Sequence, residues 1–296
     1  MTDWDDMRVF LAVARGESLS RAGRALRLDP ATVGRRIARL ERGLGARLFA
    51  RSAQGYALTE DGQRLLTHAE SAETALAGAR DALHSGPEGL RGQVRIGAPD
   101  GCANYLLPQV LAEICGANPG LEVQIVALPR VCNLSRREAD MAIAVSAPET
   151  GRLSVQKITD YHLHLAAARD YLDHAPRLQT MADLRAHRMI GYIPDMIFDK
   201  ELDYLADIGV QSPALASNSI SVQLNWVRQG AGVAVVHDFA LPAAPGVVRV
   251  LPDAFHLTRA FWLIRHGDDY RLGRLTGFAE ALTRGLRREV ARLEAM

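Results

Sequence analysis

The chain has 296 residues, 48% hydrophobic and 23% charged, with a formal net charge of +1. That length suits two or three domains, and the composition excludes a disordered or fibrous protein. No run nears the roughly 18 apolar residues of a membrane span, and the acidic start "MTDWDDMRVF" has no secretory pattern, so a cytoplasmic protein without membrane contact is expected.

The charge is unevenly spread. Residues 1–60 hold eleven arginines against seven acids, a net of +4, which leaves −3 for the rest. Such asymmetry points to an anion-binding module joined to a near-neutral body.

The first predicted helix lies in "DWDDMRVFLAVARGES". Met7, Phe10, Leu11, Val13 and Ala14 recur at helical spacing, Asp residues fill the first turn, and Gly16 ends it. The second lies in "SLSRAGRALRLD", with Ser20 as its N-cap and a stop near Asp29. Asp29 caps a third helix with Pro30 in its first turn, running to Gly43–Gly45. Val33, Ile37, Leu40 and Leu44 form its apolar stripe, and Thr32, Arg35, Arg36 and Arg39 lie away from it. Helix, helix, turn and longer helix is the layout of a helix-turn-helix. "ARLFARSAQGYALT" adds two short strands around Gly55, a wing.

These residues resemble the LysR-type transcriptional regulators. In "SLSRAGRALRLDPATVGRRIARLERGLGARLFARSAQGYALTEDGQRLL" the spaced "LSxAxxxL", the "VxxxIxxLExxLGxxLF" run, the Arg two after Phe49 and the closing "LTxxGxxLL" fall in register over about fifty residues. The resemblance implies a sequence-specific DNA-binding regulator on a promoter inverted repeat, controlled by a small molecule. It implies that Ala31, Thr32, Gly34, Arg35 and Arg36 face double-stranded DNA and that Arg51 reaches it from the wing. Arg pairs with guanine or phosphate. Many relatives carry Ser-Arg-Gln where this chain has Gly34-Arg35-Arg36, so guanine-leaning or phosphate-driven, salt-sensitive binding is expected. Arg42 and Arg47 lie too far along the helix and read as solvated surface.

From Glu60 to about His84 the chain reads as one helix. Leu65, Ala69, Ala72, Leu76, Ala79 and Leu83 step by 4, 3, 4, 3 and 4, the seam of a coiled coil. With the resemblance this implies a homodimer, with dimers pairing into tetramers and RNA polymerase as a further partner. "SGPEGLRG" (85–92) is the expected hinge.

Beyond it, "GQVRIGAP", "LEVQIVAL" and "EADMAIAV" read as strands alternating with helices, and "HLHLAAARDYL" opens a second such set. The last helix, from about Arg271, is expected to return to the first set. The α/β fold expected is therefore an N-terminal winged helix-turn-helix (1–59), a linker or dimerisation helix with hinge (60–90), and a two-lobed periplasmic-binding-protein-like effector domain (91–296). Lobe one covers about 91–160 and 266–296, and lobe two about 161–265.

In such lobes ligands sit at strand C-termini and helix N-termini. The candidates are Asp100, Gly101 and Cys102 after Pro99; Pro129 and Arg130; Asn218 and Ser219; and Tyr192 and His237 at strand ends. A carboxylate-bearing effector on the Asn218–Ser219 helix end and Arg130 is expected, with Asp100 facing an amine or hydroxyl end. Cys102, Cys115 and Cys132 have no CxxC spacing, so no disulfide framework or metal site is expected, and no cofactor. His162 and His164 read as packing residues. An enzyme or transport-type binding protein would need a nucleophile elbow, a P-loop or a dinucleotide fingerprint, none of which the sequence carries. A ligand-independent DNA-binding protein would leave two hundred residues unused.

Overall fold

A computed structural model describes residues 3–52, 55–84, 89–127, 139–148, 153–210, 212–267 and 273–296. They form two compact units, one of residues 3–84 and one from residue 89 onward.

In the first unit, α1 (Trp4–Gly16), α2 (Leu19–Leu26) and α3 (Pro30–Leu44) precede a hairpin of β1 (Phe49–Ser52) and β2 (Gly55–Leu58), then α4 (Glu60–His84). Asp29 caps α3 by accepting from the Ala31 N–H, with Pro30 in the first turn. The cap of α2 is Ser18 rather than Ser20: its side chain accepts from the Arg21 N–H. The reason is that Glu17 adopts a left-handed φ of 51° and turns the chain one residue after α1 ends, so α2 starts earlier.

Phe10, Leu11, Val13, Ala22, Val33, Ile37, Leu40 and Leu48 form one buried cluster. The Phe10 and Phe49 rings lie 5.4 Å apart. Burying one such side chain contributes about 1.5–3 kcal/mol. Leu44, the expected end of the stripe, is 39% exposed, because Gly45 at φ 66° turns the chain away from the core immediately after it. Glu41 explains part of the "LExxLGxxLF" spacing: its Oε1 accepts from the backbone N–H of Leu48 and of Phe49, tying α3 to the hairpin. The hairpin is pinned again where the Tyr56 N–H donates to the Glu17 carbonyl. A Cβ on Gly55 would lie 2.5 Å from that same oxygen, so only glycine fits.

The second unit holds one nine-stranded sheet. Its first lobe has β3 (Gly92–Ala98), β4 (Leu121–Ala127) and β5 (Met141–Ala144), with β3 parallel to both neighbours. The second lobe has β7 (Met189–Gly191), β8 (Leu215–Ala216) and β9 (Val233–His237), again parallel, with β7 between the other two. Two long antiparallel strands, β6 (Leu153–Ala168) and β11 (His256–His266), run through both lobes. Their register shifts between Phe261 and Trp262, opposite Ile158, where the strands pass from one lobe to the other. A short β10 (Val247–Arg249) pairs with β6.

Helices α5 (Asp100–Tyr105) and α6 (Leu107–Ala117) follow β3, α7 (Arg169–His174) follows β6, and α8 (Ile220–Arg228) follows β8. The final α9 (Gly273–Glu294) does return to lobe one: a Cβ on Gly285 would lie 2.5 Å from Val110 of α6. The chain after the β3 end, at Asp100, and the start of α8, at Ser219, come within hydrogen-bond distance of each other across the lobes. His162 and His164 each pair with a carboxylate of the second unit: His162 Nδ1 meets Glu294 at 2.8 Å and His164 Nδ1 meets Asp238 at 2.9 Å. Among the described residues no group of three metal-ligating side chains occurs, and no helix is long and apolar enough to cross a membrane.

Candidate functional site

The N-terminal half of α3 is its open end. Ala31 and Arg35 are exposed, Thr32, Gly34 and Arg36 half-buried, and Val33 and Ile37 fill the core. Arg35 Nη2 donates to Thr32 Oγ1 at 2.7 Å, its one hydrogen bond among the described residues. A bidentate guanidinium with most donors free is thus held beside a hydroxyl on the exposed face. Gly34 lies against α2, where a Cβ would meet Leu19 at an ordinary 3.4 Å.

Arg36 and Arg39 are placed differently. Arg39 pairs with both oxygens of the buried Asp6, through Nε at 2.6 Å and Nη2 at 2.5 Å. The hydrogen bond and charge of Asp6 raise its already high pKa further. Arg36 Nη1 lies 3.7 Å from Asp5 and 3.8 Å from Asp6. The acidic first turn of α1, legible in the sequence as a helix-dipole feature, therefore also clamps α1 to α3. Part of the charge of Arg36 is answered inside the chain. Arg42 is exposed and donates to the Ala38 carbonyl. Arg51 lies in β1, and its side chain is outside the described residues.

Along α4 the seam divides. Ala69 is 1% exposed and, with Leu65, packs into the core of the first unit, while Arg15 of α1 pairs with Glu73 at 2.6 Å. Ala72, Leu76 and Ala79 are exposed, Leu76 by 47%. The side chain of Leu83 lies outside the described residues.

In the second unit the structure brings Asp100, Gly101, Ser219 and His237 near one another. Asp100, opening α5 after β3, sends one carboxylate oxygen across to α8. That oxygen accepts from Ser219 Oγ at 3.0 Å, from the Ser221 N–H at 3.0 Å and from Ser221 Oγ at 3.1 Å. The anion-welcoming start of α8 thus already holds a carboxylate, supplied by the chain itself. Asp100 does not stand open toward an amine, as the sequence suggested, because three lobe-two donors engage it. Asn218 is half-buried in the turn before α8, and Ser219 also caps α8 by accepting from the Val222 N–H.

Gly101 is buried and allows close approach, since a Cβ there would lie 3.7 Å from the His237 ring and from Ile220. His237 is 4% exposed, and burial lowers its pKa to about 3, so the ring is neutral; its Nε2 lies 3.4 Å from the Tyr204 hydroxyl. Tyr192 and Tyr204 pack edge to face at 5.8 Å, and burial pushes both phenols up. Cys102 departs from expectation. It is 0% exposed and desolvation raises its thiol pKa, so it belongs to the core and offers no ligand contact. Pro129, Arg130 and Cys132 lie outside the described residues.

Sequence reading missed Ser221, although a serine in the first turn of a helix that follows a Ser cap is a readable anion-binding signal. It also missed Tyr204, Gln223 and the hydrogen bond from Ser146 of lobe one to Asp199 of lobe two, for which nothing local signals the pairing.

The family model described as "Bacterial regulatory helix-turn-helix protein, lysR family" matches residues 4–63, and "LysR substrate binding domain" matches residues 87–287. The chain belongs to the LysR family of transcriptional regulators. Among curated relatives, the transcriptional activator TtdR of Escherichia coli K12 is 28% identical over 294 residues, covering 94% of this chain and 91% of TtdR. The Mau operon transcriptional activator of Paracoccus denitrificans is 27% identical, covering 95% and 98%. Among solved structures, a full-length OxyR variant of Pseudomonas aeruginosa superposes with a TM-score of 0.70 at 17% identity, covering 97% of this chain and 98% of that one. Full-length LysG of Corynebacterium glutamicum with bound effector Arg gives 0.64 at 19% identity, covering 97% and 98%. At those identities the structures speak for the fold: a LysR-family helix-turn-helix followed by a two-lobed effector-binding domain. Members of this family are regulators that bind DNA.

Proposed function

We propose that this chain is a dimeric transcription regulator that reads a promoter inverted repeat through α3 and responds to a small carboxylate-bearing molecule between the lobes of its second unit. It acts by binding rather than catalysis, in the cytoplasm where its DNA lies. Residues 1–59 serve as the DNA-binding domain, 60–90 as linker, and 91–296 as effector domain.

The observation that carries the DNA-reading role is the open face of α3, with Arg35 free of any carboxylate partner among the described residues and anchored on Thr32. Arg35 and Thr32 read base edges; Ala31 and Gly34 let the backbone approach; Arg36 and Arg51 add phosphate contacts. The exposed run Ala72, Leu76 and Ala79 is the half of α4 left for a partner helix. Further association to tetramers and contact with RNA polymerase extend the same reading.

The carboxylate at the start of α8 supports the choice of effector. Ser219 and Ser221 are a working carboxylate seat, occupied by Asp100 in the form described. An effector carboxylate takes that place by displacing Asp100, releasing one lobe from the other.

Fluorescence anisotropy with a duplex from upstream of the gene tests the first part. Tight, salt-sensitive binding that a scrambled duplex does not match is expected. Equal affinity for both duplexes would overturn the reading.

A further inference from the structure

Lobe two carries a half-open cavity of about 590 Å³ apart from the carboxylate seat: Asp100, Ser219 and Ser221 do not line it. That volume lies within the range of small-molecule sites, roughly 300–1,000 Å³. Its walls come from Ile190 of β7, Val235 of β9, Leu202 and Leu205 of the segment after β7, and the edge-to-face rings of Tyr192 and Tyr204. Burial raises both phenols, so they present neutral hydroxyls. Asp203 is the one charged residue among the described lining, which disfavours an anion.

Gln223 supplies direction. It is 3% exposed, and its Nε2 donates to the Ser217 carbonyl at 2.7 Å. Because that partner is an acceptor, the amide orientation is settled and Oε1 is left as an acceptor on the cavity wall. The Tyr192 ring lines the same cavity, edge to face with Tyr204.

We propose that this cavity is a second ligand site, taking a neutral ring-bearing molecule that donates one hydrogen bond to Gln223 Oε1. Aliphatic walls and two aromatic edges take the ring, and a hydroxyl or N–H reaches the amide oxygen. The site is coupled to the lobe junction. Asp199, which accepts from the Glu201 N–H to cap the turn that bears Leu202, also accepts from Ser146 of lobe one.

Phenol and toluene serve as probes: the same ring with and without the donor. Titration calorimetry on the full chain is expected to show both binding, phenol several-fold more tightly, as one neutral hydrogen bond provides. Gln223→Met abolishes phenol's advantage and leaves toluene unchanged. Val210→Phe, which fills the cavity, weakens both. Failure of both probes to bind at millimolar concentration overturns the proposal. So does a phenol preference that survives Gln223→Met in a variant with a native circular dichroism spectrum. Operator binding by the unliganded chain is read separately, so a failed cavity leaves the regulator reading intact.

Discussion

Replacing Asp100 by Ala removes the chain's own occupant of the α8 seat. One carboxylate oxygen takes three hydrogen bonds, from Ser219 Oγ, Ser221 N–H and Ser221 Oγ, at 3.0–3.1 Å. A hydrogen bond to a charged group contributes about 1.5–3 kcal/mol, and an anion at a partly buried helix start up to about 2 kcal/mol. These contributions overlap on a single oxygen. Asp100 is half-buried, so water serves the three donors once it is gone. A net cost of about 2 kcal/mol follows, equivalent to roughly 30-fold in an association constant. An external carboxylate must overcome that competition in the wild type and is spared it in the variant. Acetate is the fitting probe, because it restores the atoms that the substitution deletes. Asp100→Ala is expected to melt lower, to be restabilised by acetate, and to bind acetate about 30-fold more tightly than the wild type. Calorimetry and thermal melts at constant ionic strength read both. If Asp100→Ala binds acetate no better than the wild type while losing affinity for small amines, Asp100 is itself a ligand contact and the displacement argument fails.

Arg35→Ala should weaken operator binding by about 1–3 kcal/mol without changing the oligomer. Arg42→Ala, on the exposed far end of α3, should stay within about 0.5 kcal/mol in the same anisotropy titration; equal losses would refute the division of the helix. Leu76→Asp should shift the dimer to monomer in sedimentation velocity, by about tenfold or more in Kd, since each buried Leu is worth about 1.5–3 kcal/mol. An unchanged sedimentation coefficient would remove α4 from the interface. His237 gives a pH test. Its folded pKa is about 3 and the ordinary value 6.5, so both states are neutral above 6.5. As pH falls from 6.5 toward 3 the unfolded chain takes up a proton that the fold refuses, and stability present above 6.5 is lost. His237→Phe should therefore flatten the stability–pH curve in that window by up to about 1.4 kcal/mol per pH unit. Parallel curves for the two proteins in urea unfolding would contradict it.

The elements of the N-terminal unit were legible because their determinants are local, although the α2 cap proved to be Ser18 and Leu44 left the stripe. Helical spacing, the Asp29-Pro30 cap, Gly45 and the Glu41 spacing each act over a few residues, so the order of elements and the buried stripe of α3 follow from the chain alone. The alternation of strands and helices likewise disclosed two α/β lobes, and the rule that strand ends meet helix starts singled out Asp100, Ser219, Tyr192 and His237 together. Tertiary structure decided what those residues touch. Arg36 and Arg39 look equivalent to Arg35 on a helix face, yet Asp5 and Asp6, some thirty residues earlier, claim them. Asp100 and Ser221 are 121 residues apart. Nothing in either neighbourhood marks one as the other's partner, since a hydrogen bond across lobes depends on where the sheet carries each strand end. The cavity beneath Tyr192 depends likewise on how the segment after β7 folds back over β9. Local propensity identifies the groups able to bind, and long-range packing determines which of them already have a partner.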